Sequence, residues 1–148
     1  LLACLMLFAP LGGASADGIA DKVSVDAPYV RAVPPVVKTT AAFMQLRNAD
    51  SVERFLIGAS TPIAGAVELH MHEHDGEVMR MRRIPHIHLP PGKAVSLQPG
   101  GLHIMLFEVN RTLAPGDAVP LTLTFEDDST KDVSAVVRAV TRPMHKQH

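Results

Sequence analysis

The sequence is almost free of cysteine. Its single thiol, Cys4, lies in the apolar segment that opens the chain, upstream of Ala16. We expect cleavage after Ala16, which would leave residues 17–148 without any thiol. Such a chain cannot form disulfide bonds, hold zinc through thiolates or use cysteine catalysis.

An excess of charge of either sign is also missing. Lysine and arginine number 14 and aspartate and glutamate 15, which gives a formal net charge of -1. A protein without a basic surplus is poorly suited to neutralise nucleic-acid phosphates or to hold an anionic membrane. Nucleic acid is therefore not an expected partner.

Long apolar runs are missing as well. The run from Leu1 to Leu11 is about half of the ~20 residues that a helix needs to cross a bilayer. Small residues follow it and end in an Ala-x-Ala pattern at Ala16, which is typical of a secretory signal peptide. We interpret residues 1–16 as an N-terminally truncated signal peptide, with a membrane anchor as the weaker alternative. Cys4 is interpreted as part of its apolar run rather than as the cysteine of a lipoprotein box.

A long helical period is absent, and short strands separated by turns take its place. With 148 residues, 47% of them hydrophobic, the chain suits one domain with a core and is too short for two. Apolar and polar residues alternate from Val119 to Phe125, which predicts a strand with one buried face. Residues 22–33 are interrupted by Pro28, so we expect them at a sheet edge or in a loop. About eight strands predict an all-β antiparallel sandwich over residues 17–148, monomeric and ending in a short polar tail.

Histidine and methionine are concentrated between His70 and Met105. This stretch holds most of the 8 histidines and 7 methionines of the chain: His70, His72, His74, His86, His88 and His103 with Met71, Met79, Met81 and Met105. Imidazole nitrogen and thioether sulfur both bind transition metals, so the clustering indicates a metal site.

The dipeptide Asp75-Gly76 lies inside this stretch, between two extended segments, and predicts a two-residue hairpin turn. With Asp75-Gly76 as the loop, His70 is paired with Met81 and His72 with Met79. Directly opposed residues have Cβ atoms ~4.5–5.5 Å apart, so an imidazole and a thioether can bind one ion. The hairpin therefore predicts a ligand pair of His70 and Met81.

A second pair follows on a later strand, where the period of two places His103 and Met105 on one face and Ile104 on the other. The two pairs together offer two nitrogens and two sulfurs. Thioethers favour Cu(I), whereas calcium and magnesium require oxygen ligands, so the predicted metal is copper(I). A blue-copper electron-transfer site is disfavoured because its cysteine ligand is missing.

The spacing of these residues resembles a known signature. His70, ten residues, Met81, twenty-one residues and His103-Ile104-Met105 match the H-x10-M-x21-H-x-M pattern of the periplasmic PCuAC copper chaperones. The segments from Asp75 to Arg82 and from Pro99 to Leu106 are also similar to that family.

The resemblance covers residues 23–140 and implies a fold and a function. The implied fold is a cupredoxin-like β-sandwich, and the implied Cu(I) ligands are His70, Met81, His103 and Met105. The implied role is to carry copper through the periplasm toward the CuA centre of cytochrome c oxidase, together with a Sco-type copper protein. We hypothesise that the partner's ligands displace those of the chaperone.

Further histidines and methionines lie outside the signature. His72 and Met79 are an additional candidate metal pair. Together with His86, His88 and the tail residues Met144, His145 and His148, they suggest a nitrogen-rich Cu(II) site. The alternative stays open, because single histidines and methionines on strands are usually solvated or packed in the core.

Two other functions stay open at this point. A copper storage or resistance protein would use the same ligands and would differ from a chaperone only in lacking delivery. A copper or zinc enzyme with three histidines and a water is less favoured. The nearby acids, Glu73 and Glu77, lie in no recognisable hydrolase motif.

Overall fold

The computed structural model describes residues 18–140, which form one short helix and ten strands. In chain order these are α1 (Ile19–Lys22), β1 (Val23–Arg31), β2 (Thr40–Asn48), β3 (Arg54–Ser60), β4 (Ala64–Asp75), β5 (Val78–Arg83), β6 (Ile87–Leu89), β7 (Ala94–Leu97), β8 (Leu102–Val109), β9 (Ala118–Phe125) and β10 (Thr130–Arg138). The predicted all-β class is confirmed, with ten strands in place of about eight. Strand β6 has only 3 residues, too few to show a period in the sequence.

Two predictions fall outside the described residues. The signal peptide over residues 1–16, with Cys4, precedes them, and the polar tail from Arg142 to His148 follows them. Within residues 18–140, no helix combines the length and the hydrophobicity needed to cross a membrane.

The strands form one hydrogen-bonded array in the order β5-β4-β8-β7-β2-β1-β10-β9-β3-β6, in which β8 also pairs with β2. Strands β5 and β6 are its two edges. Most neighbours are antiparallel, as predicted, but the β1–β10 and β7–β8 pairs are parallel. The array surrounds one core, whose buried side chains come from every strand except β5.

Strand alternation determines which side chains enter that core. On β9, the apolar residues Val119, Leu121, Leu123 and Phe125 are all buried, as the sequence predicts. On β8, Ile104 is also fully buried in the core. Because successive residues of a strand point to opposite faces, the neighbours of Ile104 must point away from the core.

Strand β1 is not at an edge, contrary to expectation. It pairs with β2 on one side and with β10 on the other, so it is an interior strand. Its pairing with β2 shifts register between Asp26 and Tyr29, and Ala27 adopts a φ of 47° there. A bulge of this kind tolerates Pro28, because the missing N–H falls where the ladder is already interrupted.

Candidate metal centre

Three neighbouring strands, β5, β4 and β8, carry the histidines and methionines singled out in the sequence. On the β4–β8 side, His70 is directly opposite His103, and Glu68 is directly opposite Met105. Directly opposed residues of antiparallel strands share a sheet face. The structure therefore brings His70, His103 and Met105 to one face, the face away from Ile104.

On the β4–β5 side, the predicted pairing is wrong. Met81 lies directly opposite His72, and His70 lies opposite Arg83. Met79, predicted to oppose His72, lies opposite His74 instead. The hairpin brings Met81 next to a different imidazole from the one that the Asp75-Gly76 turn predicted.

The physical reason lies in the turn. Asp75 is still paired, with Val78, so the two loop residues are Gly76 and Glu77. Gly76 has a φ of +63°, whereas Glu77 is not among the residues with positive φ. A turn with positive φ only at its first central residue is of the II′ kind, which takes glycine in that position. The prediction had assumed glycine in the second position.

The change of turn moves every pair along the hairpin but leaves the faces unchanged. Each residue of β4 pairs with the residue of β5 that lies two positions beyond the predicted partner. A shift of two residues preserves the alternation of faces. Met81 therefore remains on the same face as His70 and lies diagonally across from it, opposite His72.

Three imidazoles form a cluster on this face. The ring centroids of His72 and His103 are 4.9 Å apart, and those of His70 and His103 are 5.8 Å apart. One ring nitrogen of each is buried without a hydrogen-bond partner, namely Nδ1 of His70, Nδ1 of His72 and Nε2 of His103. Leaving a buried polar atom unpaired costs about 1–3 kcal/mol, so three together call for a ligand.

The other ring nitrogens of two of these histidines are held in place. His70 Nε2 donates to Glu68 Oε2 at 2.7 Å, and His103 Nδ1 donates to the Gly101 carbonyl at 3.0 Å. A carboxylate or carbonyl oxygen only accepts, so in each ring this nitrogen carries the proton and the unpartnered one has a free lone pair. Histidines that bind metals are commonly oriented in this way.

The environment of His103 favours its neutral form. Burial lowers the pKa of His103, and the neighbouring charges of His72, His70 and Arg31 act in the same direction, while the bond to Gly101 opposes them. A neutral imidazole is the form that binds a metal ion.

An open cleft of about 430 Å³ leads to this cluster. Its lining includes His72, His103 and the thioethers of Met79, Met81 and Met105, but not His70. Met79 and Met81 are each 52% exposed, an unusual exposure for methionine. Sulfur ligands are thus reachable from solvent, beside buried nitrogens.

The set of donors decides which ion fits. Among residues 18–140, no three histidine, cysteine, aspartate or glutamate side chains are placed to hold a metal ion together. His70, His72 and His103 therefore form no three-donor site by themselves, and the methionines that line the cleft are the further donors beside them. Imidazole with thioether suits Cu(I), so the residues present fit that ion.

Of the remaining histidines of the stretch, His74 is exposed on the same face of β4, opposite Met79, whereas His86 and His88 lie elsewhere. The rings of His86 and His88 contact Phe55 at centroid distances of 4.9 and 5.2 Å, and His88 Nε2 bonds Glu53 at 2.8 Å. Their contacts are thus with β3 rather than with the ring of His103.

The structure also identifies residues that the sequence reading missed. Glu68 orients His70, the Gly101 carbonyl orients His103, and Arg31 lines the cleft with its guanidinium 5.2 Å from the ring of Phe43. Only Glu68 left a usable signal, since it lies two residues before His70 and hence on the same strand face.

Comparisons with known proteins bear on the family and the fold of the chain. Residues 23–137 match the family described as putative lipoprotein LpqE-like. The chain is 32% identical over 121 residues to the putative lipoprotein Lxx21020 of Leifsonia xyli subsp. xyli, covering 80% of this chain and 71% of that protein. It is 29% identical over 102 residues to the uncharacterized protein RP573 of Rickettsia prowazekii, covering 68% and 56%.

Solved structures of PCuAC domains are similar to this chain in fold. The copper-bound PCuAC domain from PmoF2 has a TM-score of 0.70 and 26% identity, covering 80% of this chain and 94% of that domain. The solution structure of Cu(I)-DR1885 from Deinococcus radiodurans has a TM-score of 0.64 and 34% identity, covering 86% and 83%. The predicted resemblance to PCuAC domains and the cupredoxin-like sandwich are confirmed.

Proposed function

This chain belongs to the LpqE-like family, and we propose that it is a periplasmic metallochaperone for copper(I). Its proposed ligands are His70, Met81, His103 and Met105. The observation that carries the proposal is the set of buried imidazole nitrogens without hydrogen-bond partners, which lies beside exposed methionine sulfurs.

The chemistry of the cluster supports a soft monovalent ion. The donors are imidazoles and thioethers, and the carboxylate of Glu68 is already engaged by His70 and Arg83. A divalent ion such as calcium would require several oxygen ligands, whereas Cu(I) is well matched by sulfur and nitrogen. Thioethers also cannot form disulfides, so such a site tolerates an oxidising compartment.

The accessibility of the cluster supports delivery. Met81 is on β5, an edge strand whose 6 residues are all exposed, and the cleft opens beside it. Ligands from an acceptor protein can therefore approach the ion while this chain still holds it. Release then proceeds by exchange of ligands, one at a time.

The cellular setting is inferred from relatives. Relatives named putative lipoproteins are consistent with an exported protein, and the periplasm is the proposed location. The proposed acceptor is the CuA centre of cytochrome c oxidase, with a Sco-type copper protein as a second partner, by resemblance to PCuAC chaperones.

Copper storage is the second candidate function. The same ligands would serve a store, and the exposure of Met79 and Met81 favours the chaperone, because a store gains nothing from sulfur ligands that an acceptor can reach. An enzyme is a weaker alternative, since among residues 18–140 His70, His72 and His103 do not form a three-donor metal site.

The test is a titration of residues 17–148 with Cu(I) in competition with a calibrated chelator. Changes around a ligand typically cost 10–100-fold in metal affinity, so His103→Ala and Met105→Ala should each weaken binding by about 100-fold. His86→Ala is the matched control and should bind as the wild type does. Unchanged affinity in both ligand variants would rule out this site.

Delivery needs its own measurement. Copper-loaded protein is mixed with an apo CuA domain, and transfer is followed by the appearance of metal in the acceptor after separation. A chaperone transfers its ion, whereas a storage protein of similar affinity retains it.

A further inference from the structure

Two imidazoles, rather than one, are positioned to share an ion with His103. The His72 ring is nearer to the His103 ring, at 4.9 Å, than the His70 ring, at 5.8 Å. Both His70 and His72 have a buried Nδ1 without a hydrogen-bond partner. Of these two histidines, only His70 is among the four proposed ligands. The unpartnered Nδ1 of His72 therefore has no assigned role.

The two imidazoles lie in different surroundings. His70 is held by Glu68 at 2.7 Å, its side chain is 12% exposed, and it does not line the cleft. His72 lines the cleft and lies directly opposite the exposed Met81. One ring is therefore an inner, fixed donor, and the other is a donor at the entrance.

We propose that His72 is the exchange ligand through which copper(I) leaves the site. This inference rests on the proposed function. The ion is first held by His70 and then passes to His72, while His103, Met81 and Met105 remain bound. In the second state the ion faces the cleft, where an acceptor's ligand can reach it.

The exchange of ligands conserves bonds, protons and electrons without any other reactant. One bond from copper to His70 Nδ1 breaks as one bond from copper to His72 Nδ1 forms. In this exchange each ring carries its proton on Nε2 and offers the Nδ1 lone pair to copper, so no proton is transferred and copper remains Cu(I). The number of bound imidazoles and thioethers is the same before and after, which keeps the two states close in free energy.

The arrangement also explains how tight binding and rapid release can coexist. A buried site holds its ion well but is hard for an acceptor to reach. Movement from His70 to His72 brings the ion along β4 toward the hairpin turn, beside Met81 and Met79, which are each 52% exposed. Release is then limited by replacement of one ligand and not by opening of the fold.

The first test measures transfer kinetics. Copper(I)-loaded wild type, His72→Ala and His72→Met are mixed with bicinchoninate, and formation of its coloured Cu(I) complex is followed by stopped flow. His72→Ala should lose no more than about twofold in Cu(I) affinity, since one of two bound states of similar free energy is lost. It should release the ion about tenfold more slowly, because the exchange state is missing. His72→Met restores a soft donor and should recover most of the rate.

The matched control is His74→Ala, which changes a histidine on the same strand and face but one pair further out. It should release copper at the wild-type rate. His72→Ala that transfers as fast as the wild type, or that loses affinity as His70→Ala does, would overturn the proposal. A wild type that binds or transfers no Cu(I) would instead refute the proposed function.

A second test needs no variant. Long-range ¹H–¹⁵N spectra of the wild type, with and without Cu(I), report each imidazole nitrogen separately, since Cu(I) is diamagnetic. Exchange between the two states predicts a Cu(I)-dependent shift at Nδ1 of both His70 and His72. A shift at His70 with none at His72 would contradict the exchange.

Discussion

Glu68 offers the most direct test of how the site is held together. Its Oε2 accepts the Nε2–H of His70 at 2.7 Å, with side chains that are 27% and 12% exposed. The carboxylate therefore fixes both the orientation of the ring and the nitrogen that carries the proton. Replacing Glu68 by glutamine or alanine should weaken Cu(I) binding without removing any ligand.

The magnitude follows from the kind of contact that is lost. Removing a group that orients a metal-binding histidine typically costs 10–100-fold in affinity, or about 1.4–2.7 kcal/mol. Glu68→Gln retains a carbonyl acceptor, so the loss should be near tenfold, about the lower limit. Glu68→Ala removes the acceptor and should approach 100-fold, about the upper limit. The exposed Arg83, 3.6 Å from Glu68 Oε1, adds little, because surface ion pairs are weak.

Cu(I) affinity is measured by competition with a calibrated chelator, and folding of each variant is checked by thermal unfolding. Glu73→Gln is the matched control, because Glu73 lies on the same strand but the opposite face and pairs with Arg82 at 3.0 Å. It should bind Cu(I) as the wild type does. If Glu68→Ala also binds at full strength, His70 is not held as a copper ligand in the manner described.

Three further predictions concern the stability of the fold. Ile104→Ala, a change at a fully buried position, should destabilise the fold by about 2–5 kcal/mol in urea denaturation and leave the Cu(I) affinity of the folded protein unchanged; an unaltered midpoint would contradict the core assignment. Gly76→Ala should cost about 1–2 kcal/mol in the same assay, because its φ of +63° is unfavourable for alanine although no atom would clash with the added Cβ. Gly58→Ala, which has equally open space but no positive φ, should cost nothing comparable. Burial acts to raise the pKa of Asp127, but hydrogen bonds from Ser129 and the Ile19 amide outweigh it and hold the pKa below its ordinary 3.8. The Tm deficit of Asp127→Asn should therefore be present above pH 3.8 and disappear as the pH falls through the lowered pKa; a deficit that persists in acid would be evidence against this.

The strands could be predicted because burial has a simple period. Alternation along β9 and β8 identified which side chains face the core, including Ile104, and hence that His103 and Met105 face away from it. Strand β6 and the interior position of β1 could not be predicted in this way. The first is too short for a period, and the second depends on pairing with β10, which is remote in the sequence.

At the site, the sequence predicted the hairpin and the shared face of the candidate ligands but not the pairing of the two strands. An Asp-Gly pair indicates a hairpin but not whether glycine takes the first or the second loop position. Both choices keep all the candidate ligands on one face, so the ligand set survives the error. They differ in which imidazole faces Met81, and the observed turn selects His72 over His70. The turn at Gly76 therefore decides which histidine lies beside Met81 in the lining of the cleft. The motif spacing thus underlies the proposed ligand set, and the register of the folded hairpin is the basis for proposing His72 as an exchange ligand.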